Sequence, residues 1–179
     1  MASAKISCLV MVLLSLSSTV FASETSSTLA QLKAEAAQQS TKSIPEHRTD
    51  GIYLKSPFQA MEAQVSAQGV VLHSLAAKES GHFSLTPVSY GKGPQQKVQS
   101  GEVVITGERI ELRRNGISEL FSNSMDGIRQ DFFIHHKPEG HEQLSLSLAL
   151  AGAEASGGGQ EIKLTTATGR ELVYSQLHI

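Results

Sequence analysis

Imidazole and carboxylate side chains are concentrated between residues 131 and 142, and such groups could bind a divalent metal such as zinc. The cluster comprises Asp131, His135, His136, Glu139, His141 and Glu142. Successive side chains of a strand point to opposite faces, so only one of His135 and His136 can join Asp131, and His141 must fold back through a turn. The spacing does not match His-Glu-x-x-His. Asp131, His135 and His141 are therefore the metal candidates, but we favour exposed histidines at a strand end and a turn.

No sequence motif indicates hydrolysis or phosphate binding. Gly-x-Ser-x-Gly is absent, and the glycines within 91–93 lack both the spacing of a phosphate loop and a helix pattern after them. A glycosidase pair stays open, because its carboxylates are defined by their separation in space. Glu111, Glu119 and Asp131 are nevertheless explained as charges on the solvent face or edge of a strand, with Arg129 and Asp131 in contact on one face. We predict a chain that is not an enzyme and has no cofactor.

The first 22 residues have the features of a secretory signal peptide. Lys5 provides the positive charge, 6–16 form a short apolar core, and Val20-Phe21-Ala22 ends on a small residue. An uncleaved membrane anchor would need about 20 consecutive apolar residues, and serines interrupt this run. We predict cleavage after Ala22, which would also remove Cys8, the only cysteine.

The composition of the predicted mature chain excludes several classes of protein. Without cysteine it can have neither a disulfide framework nor a thiolate site. Removing 22 of 179 residues leaves 157, enough for one domain with a hydrophobic core. With Lys5 gone, 14 basic and 17 acidic residues give a net charge of −3, which provides no basic patch for nucleic acid. The absence of tryptophan argues against a platform for sugar rings.

Residues 23–50 are predicted to be a leader that separates the export signal from the folded domain. Leu29, Leu32 and Ala36 recur at helical spacing, which favours a short helix with a thin apolar stripe. The segment 43–51 contains proline, glycine and charged residues and is interpreted as a linker. We favour a loosely attached spacer over a helix that binds a partner.

The region 110–152 predicts antiparallel strands joined by tight turns. Asn115-Gly116 and Asp126-Gly127 are dipeptides typical of β-hairpins, and the residues before and after them alternate between apolar and polar. Leu144, Leu146, Leu148 and Leu150 alternate with serine and alanine, so they should lie on one face of one strand. The pattern is that of a sheet with one solvent-exposed face.

Period-two alternation extends this prediction over residues 51–179. In total, eleven strands are predicted, at 51–55, 60–66, 70–75, 82–89, 101–105, 110–113, 117–121, 128–136, 144–150, 161–166 and 170–179. The segments 91–96 and 153–159 are rich in glycine and are predicted to be loops. The fold class is all-β, an antiparallel sandwich-like domain preceded by the signal peptide and the short helix.

Five short motifs, in order, resemble the β-rich N-terminal region of large secreted bacterial proteins that carry FG-GAP, SBBP or similar β-propeller-forming repeats. The motifs are 116–121 (Gly-Ile-Ser-Glu-Leu-Phe), 127–132 (Gly-Ile-Arg-Gln-Asp-Phe), 138–140 (Pro-Glu-Gly), the alternation of 144–152 and 169–174 (Gly-Arg-Glu-Leu-Val-Tyr). Leu120-Phe121 stands where family members commonly have an aromatic pair. The resemblance implies an extracellular, non-catalytic module and transfers no catalytic residue.

Two functional hypotheses follow. We favour a structural or interaction module of a secreted or cell-surface protein, whose partner is a downstream repeat domain or a cell-surface component. Because the chain ends at Ile179 within an apolar strand, we expect an N-terminal fragment of a longer protein. The alternative is a small self-contained extracytoplasmic binding protein or hydrolase with a sugar or a divalent metal as ligand.

Overall fold

The chain forms two antiparallel β-sheets that pack face to face. The computed structural model describes residues 4–11, 44–76, 81–124 and 126–178. The strands in these ranges are β1 (Ala4–Met11), β2 (Glu46–Arg48), β3 (Gly51–Ser56), β4 (Met61–Val65), β5 (Val70–Ser74), β6 (His82–Gly91), β7 (Gln95–Lys97), β8 (Glu102–Thr106), β9 (Arg109–Arg113), β10 (Ile117–Ser124), β11 (Gly127–Ile134), β12 (Ser145–Ala151), β13 (Ala153–Gly158), β14 (Glu161–Thr166) and β15 (Glu171–His178). A 3-10 turn, Pro57–Gln59, is the helical element of the described ranges, and no helix there is long and apolar enough to cross a membrane.

The two sheets contain eight and seven strands. Sheet A has the order β13-β14-β15-β1-β11-β10-β9-β8. Sheet B has the order β12-β6-β5-β4-β3-β2, and β7 also pairs with β6. Most neighbouring strands in each sheet are consecutive in sequence and form hairpins. After β11 in sheet A, however, the chain crosses to sheet B, where β12 forms an edge strand. The predicted antiparallel sandwich-like class is confirmed in this arrangement.

All eleven strands predicted between residues 51 and 179 are present, and the described residues contain four more, β1, β2, β7 and β13. The hairpin at Asn115-Gly116 is confirmed by the β9–β10 pairing. A hairpin also joins β10 to β11, but Gly127 pairs with Ser124 as the first residue of β11, so the prediction of Gly127 as a turn residue is wrong. The loop prediction for 91–96 is wrong at its end, where β7 begins, and that for 153–159 is wrong because β13 occupies most of it. A strand, β2, also lies within the predicted linker. These three strands are short or glycine-rich edge strands, so they lack the apolar alternation that identifies a buried strand.

Residues 4–11, which belong to the predicted signal peptide, form the strand β1 inside sheet A. Ala4–Met11 pairs antiparallel with β11 over its whole length and with β15 on its other side. The predicted helix within 23–42 lies outside the described residues, and so does the cleavage site at Ala22.

The core lies between the sheets and is built from the apolar residues of alternating positions. Leu54, Leu72 and Phe83 of sheet B meet Ile110 and Phe121 of sheet A, each at most 2% exposed. The four leucines of 144–150 lie on one side of β12, half-buried, whereas the residues between them are exposed. Their predicted placement on one face is therefore confirmed.

A chain of buried polar side chains runs through the interior of sheet A. Arg114 Nε donates to Glu119 Oε1 at 2.9 Å, Gln130 Nε2 donates to Glu119 Oε2 at 2.8 Å, and the Tyr174 hydroxyl donates to Gln130 Oε1 at 3.2 Å. Glu119 is fully buried, so its predicted place on the solvent face or edge of a strand is wrong. Burial raises the pKa of Glu119, and the Arg114 charge together with these hydrogen bonds opposes that rise. The carboxylate therefore depends on Arg114 to stay ionised inside the sandwich.

Two buried arginines tie sheet A to the turns of sheet B. Arg114, which follows β9, donates to the carbonyl oxygens of Ala67 at 3.2 Å and Gln68 at 2.9 Å, and also to Gln99. The carbonyl groups of Ala67 and Gln68 belong to the turn between β4 and β5. Five guanidinium donors in a rigid fork let one side chain satisfy several backbone carbonyls at once. Each carbonyl would otherwise be a buried acceptor without a donor.

Arg170 makes the corresponding connection from the turn between β14 and β15. It donates to the Ala60 carbonyl at 3.2 Å, to Ser74 Oγ at 2.5 Å and to the Gln59 carbonyl. Ala60 ends the 3-10 turn with φ of 45°, a left-handed conformation that non-glycine residues rarely adopt. The Arg170 hydrogen bonds hold this turn against sheet A.

Gly116, in the turn between β9 and β10, allows a third approach between the sheets. Its φ of 80° is the conformation that the second turn residue requires. A Cβ atom there would collide with the hydroxyl of Tyr90, a buried β6 residue whose hydroxyl donates to Gln96 Oε1 at 2.8 Å. Glycine is therefore needed twice, for its backbone conformation and for its lack of a side chain.

Replacement of Gly116 by alanine is expected to destabilise the protein more than the same change at Gly107. Gly107 also has a positive φ, 62°, but no atom lies within 4 Å of a Cβ built on it, so Gly107→Ala carries only the left-handed strain of about 1–2 kcal/mol. Gly116→Ala adds an overpacking cost of about 1–3 kcal/mol. Urea unfolding followed by far-UV circular dichroism measures both. Equal costs would mean that the Tyr90 hydroxyl moves away without penalty.

Loss of Arg114 is expected to be one of the most destabilising single changes. Arg114→Ala leaves Glu119 as an uncompensated buried charge, at a cost of about 3–5 kcal/mol in unfolding free energy. Arg113→Ala is the matched control, since Arg113 pairs with Glu111 at 2.9 Å on the surface and should cost under about 1 kcal/mol.

The double variant Arg114→Met/Glu119→Leu should lose less unfolding free energy than the two single variants Arg114→Met and Glu119→Leu lose in sum. The reason is that the double variant removes both charges together and leaves neither unpaired. Tyrosine fluorescence and circular dichroism in urea provide the three unfolding free energies. A simple sum would contradict the coupling of Arg114 and Glu119.

Candidate functional site

A groove on the outer face of sheet A, the face away from sheet B, combines apolar with hydrogen-bonding side chains. Its volume is about 300 Å³, at the lower end of small-molecule sites. We call it the outer groove. It is lined by Thr106, Arg109, Glu111, Ser118, Leu120, Phe133 and His135.

The strand register places these side chains together. Ser118 of β10 lies opposite Arg113 of β9 and Phe133 of β11, while Leu120 lies opposite Glu111. The His135 amide donates to the Gly116 carbonyl at 3.0 Å, which extends the ladder one residue beyond β11. The His135 ring consequently lies beside Ser118, with Nε2 at 2.9 Å from Ser118 Oγ.

The Ser118–His135 pair does not have the arrangement of a hydrolytic site. Ser118 lies within a strand, is 3% exposed, and is not on a constrained turn that would present its hydroxyl. In the part of the chain that the structure describes, no carboxylate forms a hydrogen bond or ion pair with the His135 ring to orient it as a base. The pair therefore joins β10 to the end of β11.

The three candidate metal ligands are not brought together. Asp131 accepts two hydrogen bonds from Arg129 Nε, at 3.0 and 3.1 Å, so the predicted contact between these residues is confirmed. His135 is engaged with Ser118, and His141 is exposed in the segment between β11 and β12. Within the described ranges, no group of three or more His, Asp or Glu side chains is arranged to hold a metal ion.

A polar network on the outer face of sheet B was missed by the sequence reasoning. Arg48 donates to both Glu62 oxygens, at 3.1 and 2.9 Å, and its guanidinium carbon lies 3.9 Å above the Tyr53 ring. The Tyr53 hydroxyl donates to Asp50 at 2.7 Å. Arg48 and Asp50 belong to the segment predicted as a linker. The alternation of polar residues on the neighbouring strands was the available signal, but it needs β2 to be recognised as a strand.

Two histidines face each other in the same sheet. His73 and His82 are register partners on β5 and β6, with ring centroids 5.8 Å apart. Burial and the neighbouring His82 lower the pKa of His73, and its Nε2 lies 3.1 Å from Gln64 Oε1. The lowered pKa favours a neutral ring, and the contact with Gln64 joins His73 to the surface network of sheet B.

Comparisons with protein-family models, with curated proteins and with solved structures give no match for this chain. The resemblance to the N-terminal region of secreted repeat proteins therefore stays a prediction.

The hydroxyl of Ser118 is expected to remain unmodified by a fluorophosphonate probe that labels activated serines, because no carboxylate orients His135. Ser118→Ala and His135→Ala should each lower the unfolding free energy by about 0.5–1.5 kcal/mol, the usual contribution of one hydrogen bond. Mass spectrometry of the probe-treated chain and urea unfolding are the measurements. Labelling at Ser118, or a zinc-dependent rise in melting temperature that His135→Ala abolishes, would contradict a structural role.

Proposed function

We propose that the chain is a non-catalytic structural and interaction module of a secreted or cell-surface bacterial protein. The observation that carries this proposal is the structural engagement of its candidate chemical groups. Asp131 pairs with Arg129, and Glu119 accepts hydrogen bonds from Arg114 and Gln130. Ser118 pairs with His135, whose ring is oriented by no carboxylate of the described residues. An active site instead needs such groups to converge on a space where substrate can bind.

Export is the second component of the proposal. Lys5, the short apolar core and the small residue at Ala22 are the three parts of a cleavable secretory signal. A mature chain without cysteine needs no oxidative step after export, and its stability depends on burial and on the internal arginine contacts.

The proposed partners are a downstream repeat domain or a component of the cell surface. The outer groove supports an interaction role, since it offers apolar surface from Leu120 and Phe133 beside the charged side chains of Arg109 and Glu111. Mixed surfaces of this kind are typical of interfaces in which apolar contact contributes affinity and the charges set orientation.

Processing after Ala22 is the expected outcome when the full chain, with a C-terminal tag, is expressed in a Gram-negative host. Mass spectrometry of the periplasmic fraction should give a chain that begins at Ser23. Ala22→Arg should block processing because the cleavage site requires a small residue, whereas Ala30→Arg, beyond the site, should leave it unchanged. An unprocessed chain confined to the cytoplasm would refute export.

A further inference from the structure

In sheet A the strand β1 lies between β11 and β15, and we call the position that it occupies, which is one strand wide, the gap. Both strands pair antiparallel with β1, so they run parallel to each other and do not pair directly. Each is hydrogen-bonded on its far side, β11 to β10 and β15 to β14. Without β1, the facing edges of β11 and β15 would each present a row of unpaired backbone donors and acceptors.

The interior of the module holds the two sides of this gap apart. The Tyr174 hydroxyl of β15 donates to Gln130 of β11 at 3.2 Å, and Gln130 in turn donates to Glu119. Both sides also pack on sheet B through the shared core, β11 with Ile128 and β15 with Leu172. Direct pairing of β11 with β15 would need a lateral shift of about 5 Å, one strand spacing, and would break these contacts.

The register defines what can fill the gap. Positions 6, 8 and 10 of the inserted strand lie opposite Phe132, Gln130 and Ile128, which are at most 2% exposed. Position 10 also lies opposite Tyr174 on the other side. The inserted residues at these positions are Ile6, Cys8 and Val10. A strand that fits therefore has uncharged, apolar residues at alternate positions.

The strand that occupies the gap belongs to the segment proposed to be removed on export. Cleavage after Ala22 would take Ala4–Met11 away and leave two parts of sheet A, β13-β14-β15 and β11-β10-β9-β8. We propose that the gap between β11 and β15 is a strand-acceptor site, which in the exported chain binds an extended, alternately apolar segment of another polypeptide. The proposal rests on the export proposed above.

A free segment of a different protein fits this site better than a strand of a second copy. Every strand from Glu46 to His178 is already hydrogen-bonded to a neighbour in its own sheet. An edge strand such as β8 or β13 has only one open side, whereas the gap must pair with its occupant on both sides. An unpaired extended segment meets that requirement, and main-chain hydrogen bonds then supply affinity while the alternate side chains give specificity.

The test uses the full chain with the native insert blocked. Ile6→Asp/Val10→Asp places charges opposite buried Phe132 and Ile128, and it should make amide hydrogen exchange in β11 and β15 at least about tenfold faster. Lys5→Asp/Leu9→Asp is the matched control, because positions 5 and 9 lie opposite Phe133 and Arg129, which are partly exposed. The control should leave protection of both strands unchanged.

A synthetic peptide with the sequence of residues 4–11, carrying Cys8→Ser, should then bind the blocked chain and restore protection of β11 and β15. The same peptide with Ile6→Asp and Val10→Asp should bind at least about 100-fold more weakly, since each charge placed opposite buried Phe132 or Ile128 is expected to cost roughly tenfold. If the blocked variant does not fold alone, the peptide is added during refolding, and recovery of protection is the readout.

Several results would overturn the proposal. They are unchanged exchange in the blocked chain, equal affinity for both peptides, or a processed chain that dimerises without added peptide, which would identify a second copy as the occupant. Failure of export is read separately from the N-terminus of the periplasmic chain. Because the blocked-chain experiment keeps residues 1–22, it gives its answer whether or not export occurs.

Discussion

The buried ion pair between Arg114 and Glu119 is the constraint on which the rest of the structure depends. A carboxylate with no solvent exposure is stable inside the sandwich only while a cation and hydrogen-bond donors surround it. The same guanidinium also satisfies backbone carbonyls of the β4–β5 turn, so the two sheets cannot separate without exposing both a charge and unpaired carbonyls. Gln130 and Tyr174 extend this requirement across sheet A. These contacts fix the distance between its two halves.

That fixed distance gives the position of β1 its significance. If only hairpin contacts held sheet A together, β11 and β15 could move together and pair after the loss of β1. Instead they lie one strand width apart, and both pack against sheet B through the shared core. The residues that fill the space come from a segment with the composition of an export signal. The proposed removal of residues 1–22 on export would therefore take β1 out of sheet A, because the same eight residues cannot both complete the sheet and be removed.

The candidate site illustrates why spacing along a chain is a poor guide to convergence in space. Asp131, His135 and His141 are close in sequence, yet Asp131 contacts Arg129 of its own strand and His135 contacts Ser118 of the neighbouring strand, while His141 lies in an exposed connection. The local pairing of Arg129 with Asp131 was predictable, since it depends only on the two-residue period of a strand. The Ser118–His135 contact was not, because it joins residues of different strands through their register.

Alternation along the chain was sufficient to predict eleven strands, the turn at Asn115-Gly116, and the placement of Leu144, Leu146, Leu148 and Leu150 on one face. These features are local, since period-two burial and positive φ in a turn are properties of neighbouring residues. Only the tertiary structure decided that β12 joins sheet B and that the glycine-rich segment 153–158 forms an edge strand. It also decided that Arg114 and Arg170 connect the two sheets by hydrogen bonds to backbone carbonyls. Those outcomes depend on which strands meet across the core, and residues far apart in sequence determine that choice.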